Sequence, residues 1–248
     1  MAATDMIAQT AEVREAHRFE VGALERYMRD HVEGFAGSLD VRQFKGGHEA
    51  ARRAFAMDST RTDVRLLYAR ASAQNKDPAT AARLYASVAD TTLFEAIDHV
   101  RMGQIDHEAE RLDDARGHLQ TALAMDSTSA EGWFILGMIE LRGEDAEAAV
   151  RALGKAAELA PNFSAASLNL GIAQLRAGRK QEGIAALRRA QTLAPENPQV
   201  LISLADALAS ADSTAAAIEE YLGAIEIDPT SARAHRGLRS EEHTSELQ

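Results

Sequence analysis

The same pattern of small and large residues recurs along this chain with a period of 34 positions. Five copies follow one another without an insertion, at 62–95, 96–129, 130–163, 164–197 and 198–231. With Ala130 as position one, the third copy carries the marker residues Trp133, Leu136, Gly137, Ala149, Leu153, Ala156 and Pro161. A fixed period of this length indicates that one supersecondary unit is repeated along the chain.

The residue types at each position predict what that unit is. Gly137, Ala149 and Ala156 supply small side chains at positions eight, twenty and twenty-seven. Two antiparallel helices approach closely only where small side chains face each other. One helix pair cannot bury its apolar stripe alone, so neighbouring pairs must stack. The alternative to stacked helix pairs is an alanine-rich helical bundle, but a bundle does not require a 34-residue period.

Turn signals agree with a pair of helices in each copy. Asp77 before Pro78 predicts an N-cap followed by proline in the first turn. Gly178 lies where a first helix should end. Ser213 or Thr214 is expected to cap the second helix of the last copy.

The marker residues resemble the tetratricopeptide repeat family, which implies a right-handed α-solenoid of antiparallel helix pairs over 48–238. The resemblance also implies a concave groove formed by the first helix of each repeat, at positions two, five, nine and twelve. The function that it implies is a non-catalytic scaffold that binds a peptide segment of a partner protein. The predicted groove residues are Val100, Gln104, Glu131, Phe134, Met138, Leu141, Leu168, Ile172, Leu175, Ile202 and Asp206.

The composition of this groove predicts the chemistry of the partner. Its middle is apolar, which favours a protein or peptide with an apolar segment. The Lys, Asn and Arg set by which chaperone-tail receptors of the family hold a terminal carboxylate is missing. Gln104, Glu131 and Asp206 are predicted polar anchors, and the acidic surround favours a positively charged partner.

The segment 1–47 falls outside the repeat phase. Val21, Leu24, Met28 and Val32 have helical spacing, and an alternating segment begins at Leu39. Residues 13–47 resemble the start of aminoglycoside-phosphotransferase-like proteins of the kinase-like fold. This resemblance implies a helix and strand fragment that is not an independent domain, because no residues after Gly47 match the catalytic segments of that family.

The last residues, 239–248, resemble the codon-by-codon translation of a sequencing-library adapter. The expectation is that the repeat sequence ends at Leu238, where 232–238 look like the opening of a sixth repeat. Residues 50–59 likewise match the end of a second helix, so a partial repeat is expected before Thr62.

Composition excludes several other functions. The chain has no cysteine and a net charge of −11, which argues against thiolate zinc sites and against nucleic acid as a partner. No stretch approaches the ~20 apolar residues of a spanning helix, so a cytoplasmic protein without a membrane partner is expected. His99 and His107 are eight residues apart, about 12 Å along a helix, too far to share one metal ion.

The interpretation at this stage is a protein-binding scaffold with no enzyme activity, no cofactor and no metal. Two alternatives stay open. The chain could be a fragment of a kinase-like phosphotransferase, which nucleotide binding would reveal. It could also be an accessory repeat module of a larger enzyme.

Overall fold

The computed structural model of the chain describes residues 47–246, and these residues are helical apart from short connections. The predicted helix and strand within 13–46 lie outside the described residues. The α-helices are α1 (Gly47–Met57), α2 (Thr62–Gln74), α3 (Pro78–Ala86), α4 (Ala96–Glu108), α5 (Leu112–Met125), α6 (Ala130–Arg142), α7 (Ala146–Leu159), α8 (Ser164–Arg176), α9 (Lys180–Leu193), α10 (Pro198–Ala209), α11 (Thr214–Ile227) and α12 (Ala232–Glu246), with a 3₁₀ turn at Thr91–Leu93.

The prediction of an all-α solenoid of antiparallel helix pairs is confirmed for the described residues, which contain no strand. Each repeat contributes one pair, and the repeats from 96 onward form the pairs α4/α5, α6/α7, α8/α9 and α10/α11. Among residues 47–246, no helix combines the length and the hydropathy of a membrane-spanning segment.

The chain divides into two compact units after Phe94, one residue before α4 begins. In the first unit, α1 packs on α2 and α2 packs on α3, with Ala51, Leu67 and Ala71 in one buried cluster. Tyr85 and Phe94 make an edge-to-face contact with ring centroids 5.9 Å apart. Aromatic pairs of this geometry add to the stability that comes from burial.

The partial repeat expected at 50–59 is visible in the turn after α1. The Asp58 carboxylate accepts hydrogen bonds from the Thr60 backbone N–H and hydroxyl, at 2.9 and 2.6 Å. The Asp126 carboxylate makes the same two bonds to Thr128 after α5, at 2.9 and 2.6 Å. The shared turn indicates that α1 is the equivalent of a second repeat helix.

In the second unit, the large residue at position twenty-four fills the space between the paired helices. Leu119, Leu153 and Leu187 occupy this position and are completely buried. Each lies against the glycine at position eight of the first helix, so that a Cβ atom on Gly171 would be 2.6 Å from Leu187 Cγ. Small residues at position eight therefore decide how closely the two helices approach.

The glycine that replaces the usual alanine at position twenty of the fourth copy has a specific packing role. A Cβ atom on Gly183 would lie 2.8 Å from Leu175 Cγ and 3.0 Å from the Gly171 carbonyl oxygen. Gly183 thus accommodates the Leu175 side chain, which projects from α8 onto α9.

The turn inside each repeat has the same backbone conformation. Position fifteen has a positive φ in all five copies: Lys76 (58°), Glu110 (61°), Glu144 (63°), Gly178 (76°) and Asp212 (56°). The backbone N–H of the next residue donates to the carbonyl five residues earlier, as from Asp145 to the Glu140 carbonyl at 3.1 Å. This is the Schellman arrangement, which satisfies carbonyls at the helix end.

The expected caps are partly confirmed. The Asp77 carboxylate accepts from the Thr80 backbone N–H at 3.1 Å, with Pro78 in the first turn, as predicted. The Ser213 prediction is wrong in its hydrogen bond: Ser213 lies at the N-cap of α11, but its hydroxyl contacts the Ala211 carbonyl at 3.4 Å. The Ser213 hydroxyl oxygen accepts no hydrogen bond from the first N–H groups of α11.

The last helix, α12, runs through the predicted boundary at Leu238 without a break. Its packing contacts nevertheless lie before that boundary. Ala234 is fully buried and Leu238 packs against the same cluster, whereas the side chains of 239, 240, 242 and 243 are exposed. That the repeat positions end at Leu238 stays a prediction.

Candidate peptide-binding surface

The predicted groove residues lie on the first helices α4, α6, α8 and α10, but the structure exposes them unequally. Glu131 is exposed, and the half-buried members are Gln104, Phe134, Met138, Ile172, Leu175 and Asp206. Four members are buried: Val100 (1% exposed), Ile202 (4%), Leu141 (7%) and Leu168 (8%).

The burial of position five corrects the prediction for three residues. Val100 joins Leu119 and Ile135 in one core cluster, and Leu168 and Ile202 share another. Position five points into the stack between neighbouring helices, because adjacent repeats must cover each other's apolar residues. Val100, Leu168 and Ile202 therefore stabilise the fold and have little surface to offer a ligand.

Position nine is one row that the structure leaves accessible in every copy from 96 onward. Its residues are Gln104, Met138, Ile172 and Asp206, all half-buried. Phe134 at position five is half-buried as well, but its ring packs against the Phe163 ring with centroids 4.8 Å apart. Within the position-nine row, the accessible apolar residues are the central pair, Met138 and Ile172.

A pocket of about 390 Å³ opens at that centre, between α6 and α8. Sequence reasoning placed Met138, Leu141 and Ile172 at this site, and the structure brings the three together. It also brings in four polar residues that the predicted groove set missed: Arg142, Glu144, Asn169 and Arg176. We call these seven residues the α6/α8 pocket.

The missed residues lie at positions six, thirteen and fifteen, outside the four positions that the family resemblance nominates. One signal could have found two of them, since position thirteen is arginine in two successive copies, at Arg142 and Arg176. Arg176 is held in place by a hydrogen bond from Nη1 to the Leu141 carbonyl oxygen at 2.9 Å. This bond joins α8 to α6 at the rim of the pocket.

The predicted polar anchors already have partners within the chain. Glu131 accepts from Arg101 Nη1 at 2.6 Å, and Arg101 also donates to Gln104 at 3.1 Å. Asp206 accepts from the Tyr221 hydroxyl and from Arg233, each at 2.5 Å. Burial and then the bond to Asp206 raise the pKa of Tyr221, so the hydroxyl stays the donor. A ligand that used Glu131 or Asp206 would have to compete with these contacts.

His107 lies at position twelve of α4 and has an unusual environment. Its Nε2 atom is buried and has no hydrogen-bond partner among the described residues. Burial lowers the pKa of His107, and the positive charge of Arg142 lowers it further. The His107 imidazole is therefore biased towards its neutral form.

His99 contacts His118, not His107. The Nδ1 atoms of His99 and His118 are 3.5 Å apart, and His118 Nε2 lies 3.6 Å from Asp106 Oδ2. In the part of the chain that the structure describes, no three His, Asp or Glu residues form a group that could hold a metal ion.

The fold defines a class of protein, the solenoid built from repeated helix pairs. The tetratricopeptide repeat family model matches residues 100–163, 139–198 and 168–232. These overlapping segments span 100–232, more than half of the 248 residues. The chain belongs to the tetratricopeptide repeat family. No significant match was found among curated proteins.

Solved structures share the fold at low sequence identity. The chain is similar to the Cut9-Hcn1 hetero-tetramer of the APC/C, with 18% identity and a TM-score of 0.65, over 78% of this chain and 38% of that one. It is similar to YrrB, a TPR protein with an unusual peptide-binding site, with 18% identity, a TM-score of 0.66 and coverages of 77% and 99%. MamA matches with 22% identity, a TM-score of 0.59 and coverages of 66% and 96%.

These comparisons give no support to the kinase-like resemblance of 13–47 or to the adapter resemblance of 239–248. The individual repeat boundaries, beginning with 62–95, stay predictions.

Proposed function

We propose that this chain is a non-catalytic scaffold that holds an apolar peptide segment of a partner protein along α4, α6, α8 and α10. Membership of the tetratricopeptide repeat family supports the general function, since this fold is generally a scaffold for protein–protein interaction. The proposal needs no cofactor.

The observation that carries the proposal is the α6/α8 pocket. Met138 and Ile172 lie on neighbouring repeats, are half-buried, and line one opening together with Leu141. A groove that accepts anchor side chains from a peptide requires this combination of apolar lining and partial exposure. Methionine suits such a surface because its flexible side chain adapts to different partners.

Neighbouring residues extend the surface in both directions along the repeats. Phe134 is half-buried and packs against Phe163. Gln104 and Asp206 continue the position-nine row on α4 and α10. Leu175 contributes less, because it packs towards α9 at Gly183. A peptide of several residues would therefore make its main apolar contacts at Met138 and Ile172.

A structural neighbour is consistent with a peptide ligand. YrrB, 18% identical, is described as a TPR protein with an unusual peptide-binding site. The same fold can thus present a peptide site, and the residues that would form one here are those of the α6/α8 pocket.

A panel of synthetic peptides with apolar anchors tests the proposal. Binding would be measured by fluorescence anisotropy for the wild type, Met138→Glu and Met125→Glu. Met125 is exposed on the second helix α5, so it provides a matched Met→Glu control away from the pocket. A charge in the pocket should weaken binding by ~10-fold or more, a loss typical of a central contact.

Far-UV circular dichroism of the same variants separates binding from folding. If Met138→Glu unfolds the repeats, Met138 belongs to the core and the surface is assigned wrongly. If no peptide binds but ATP raises the melting temperature, the phosphotransferase alternative replaces the scaffold.

A further inference from the structure

The α6/α8 pocket carries more positive than negative charge, although the whole chain has a net charge of −11. Arg142 and Arg176 line it with one carboxylate, Glu144. Arg142 makes no ion pair with any residue of the described chain, and the contact of Arg176 is to a neutral carbonyl. The two guanidinium groups therefore keep unused donors at the rim of an apolar pocket.

The acidic residues that suggested a positively charged partner are neutralised inside the chain. Glu131 pairs with Arg101, and Asp206 pairs with Arg233. Each pair cancels the charge of a predicted anchor on either side of the pocket. The charge next to Met138 and Ile172 is consequently net positive, from Arg142 and Arg176 against the single carboxylate of Glu144.

We propose that the α6/α8 pocket selects a peptide segment in which an aspartate or glutamate side chain accompanies the apolar anchor. The carboxylate would bind at Arg142 and Arg176 while the apolar side chain lies on Met138 and Ile172. This inference rests on the proposed function and adds the charge of the partner to it.

Guanidinium chemistry favours this ligand. The planar group donates two parallel N–H bonds to a carboxylate, which gives geometric selectivity as well as attraction. Arg176 is oriented by its bond to the Leu141 carbonyl, so less side-chain freedom is lost when it binds. A pocket of about 390 Å³ lies near the lower end of the ~300–1,000 Å³ range of ligand sites and suits one or two side chains.

His107 gives the site an internal reporter. Arg142 is near enough to His107 to lower its pKa, after the larger effect of burial. A carboxylate bound to Arg142 would offset that positive charge and favour the protonated imidazole. Binding of an acidic peptide should therefore raise the pKa of His107, and binding of a neutral peptide of the same length should change it less.

The test uses three series of octapeptides that are acetylated at the N-terminus and amidated at the C-terminus. Alternate positions carry Leu, Ile, Met or Phe, and the remaining positions are all Glu, all Gln or all Lys. We expect the Glu series to bind ~5- to 10-fold more tightly than the Gln series, the effect of one or two exposed charge pairs. We expect the Lys series to bind more weakly still, and the preference to shrink at high salt.

Variants locate the preference in the pocket. Arg142→Gln should remove most of the difference between the Glu and Gln series, and Arg142→Lys should restore part of it. Arg151→Gln is the matched control, since Arg151 is exposed on α7 and does not line the pocket. An NMR titration of His107 with a Glu peptide supplies the second readout.

Equal binding of the Glu and Gln series, or retention of the preference in Arg142→Gln, overturns this inference. If Met138→Glu still abolishes binding of both series in that case, the proposed function stands without the charge selectivity. If none of the three series binds the wild type, both the inference and the proposed function fail.

Discussion

Gly137 lies so close to Leu153 that a Cβ atom on Gly137 would meet Leu153 Cγ at 2.5 Å. Gly103 and Leu119 are related in the same way, since a Cβ atom on Gly103 would lie 2.7 Å from Leu119 Cγ. Position eight therefore sets the separation of the paired helices, and position twenty-four fills the space that this separation leaves.

Gly137→Ala should destabilise the chain by ~1–3 kcal/mol, since an added methyl group in a tight core forces its neighbours apart. Gly154→Ala is the matched control. A Cβ atom at Gly154 would meet nothing within 4 Å, so alanine should stabilise α7 by ~0.5–1 kcal/mol through its higher helix propensity. Urea unfolding measures both changes, and destabilisation of the same size in both would contradict the packing described.

Leu153→Ala should cost ~2–5 kcal/mol as a large-to-small change at a fully buried position. Leu159→Ala, on the same helix, replaces a side chain that is 37% exposed and should cost ~1 kcal/mol or less. The free energy of unfolding from urea titration distinguishes them. A similar cost at both positions would mean that the repeat register is misassigned.

The left-handed backbone conformation at position fifteen predicts that two substitutions there change the stability of the chain in opposite directions. Glu110 has φ 61°, so Glu110→Gly should stabilise by up to ~1 kcal/mol. Gly178 has φ 76° and nothing near its Cβ position, so Gly178→Ala should destabilise by ~1–2 kcal/mol through backbone strain alone. Thermal unfolding of the pair tests this, and a loss from Glu110→Gly would refute it.

Acid should weaken the chain partly through two histidines. Burial lowers the pKa of His99, and the nearby His118 lowers it further; burial also lowers the pKa of His107. Because the folded state then binds fewer protons than the unfolded chain, the unfolding free energy falls as the pH drops below about 6.5. This contribution is fully present above that pH.

Urea unfolding at pH 7.5 and 5.5 checks this, with the double variant His99→Gln/His107→Gln as the comparison. The wild type should lose more stability between the two pH values than the variant. A larger loss in the variant than in the wild type would show that the fold does not disfavour the charged form of these two imidazoles.

The helix pairs and their contact positions could be predicted from the sequence because they depend on spacing within one repeat. Gly137 and Leu153 are sixteen positions apart, and the repetition of such pairs in successive copies indicates a contact before any coordinates are known. The turn glycine Gly178 is predictable for the same reason, although the positive φ at Glu110 and Glu144 is not, since neither residue favours it.

The binding surface depended on how repeats stack, which is a relation between residues far apart in the sequence. Val100 and Met138 both fit the ligand-facing pattern, yet one is buried and the other half-exposed, because burial is decided by the neighbouring helix. From the sequence alone, Glu131 is predicted to be available as a polar anchor for a ligand. In the fold it forms an ion pair with Arg101 from the preceding repeat. The period determined the fold, and the packing of neighbouring repeats decided which side chains and charges a partner can reach.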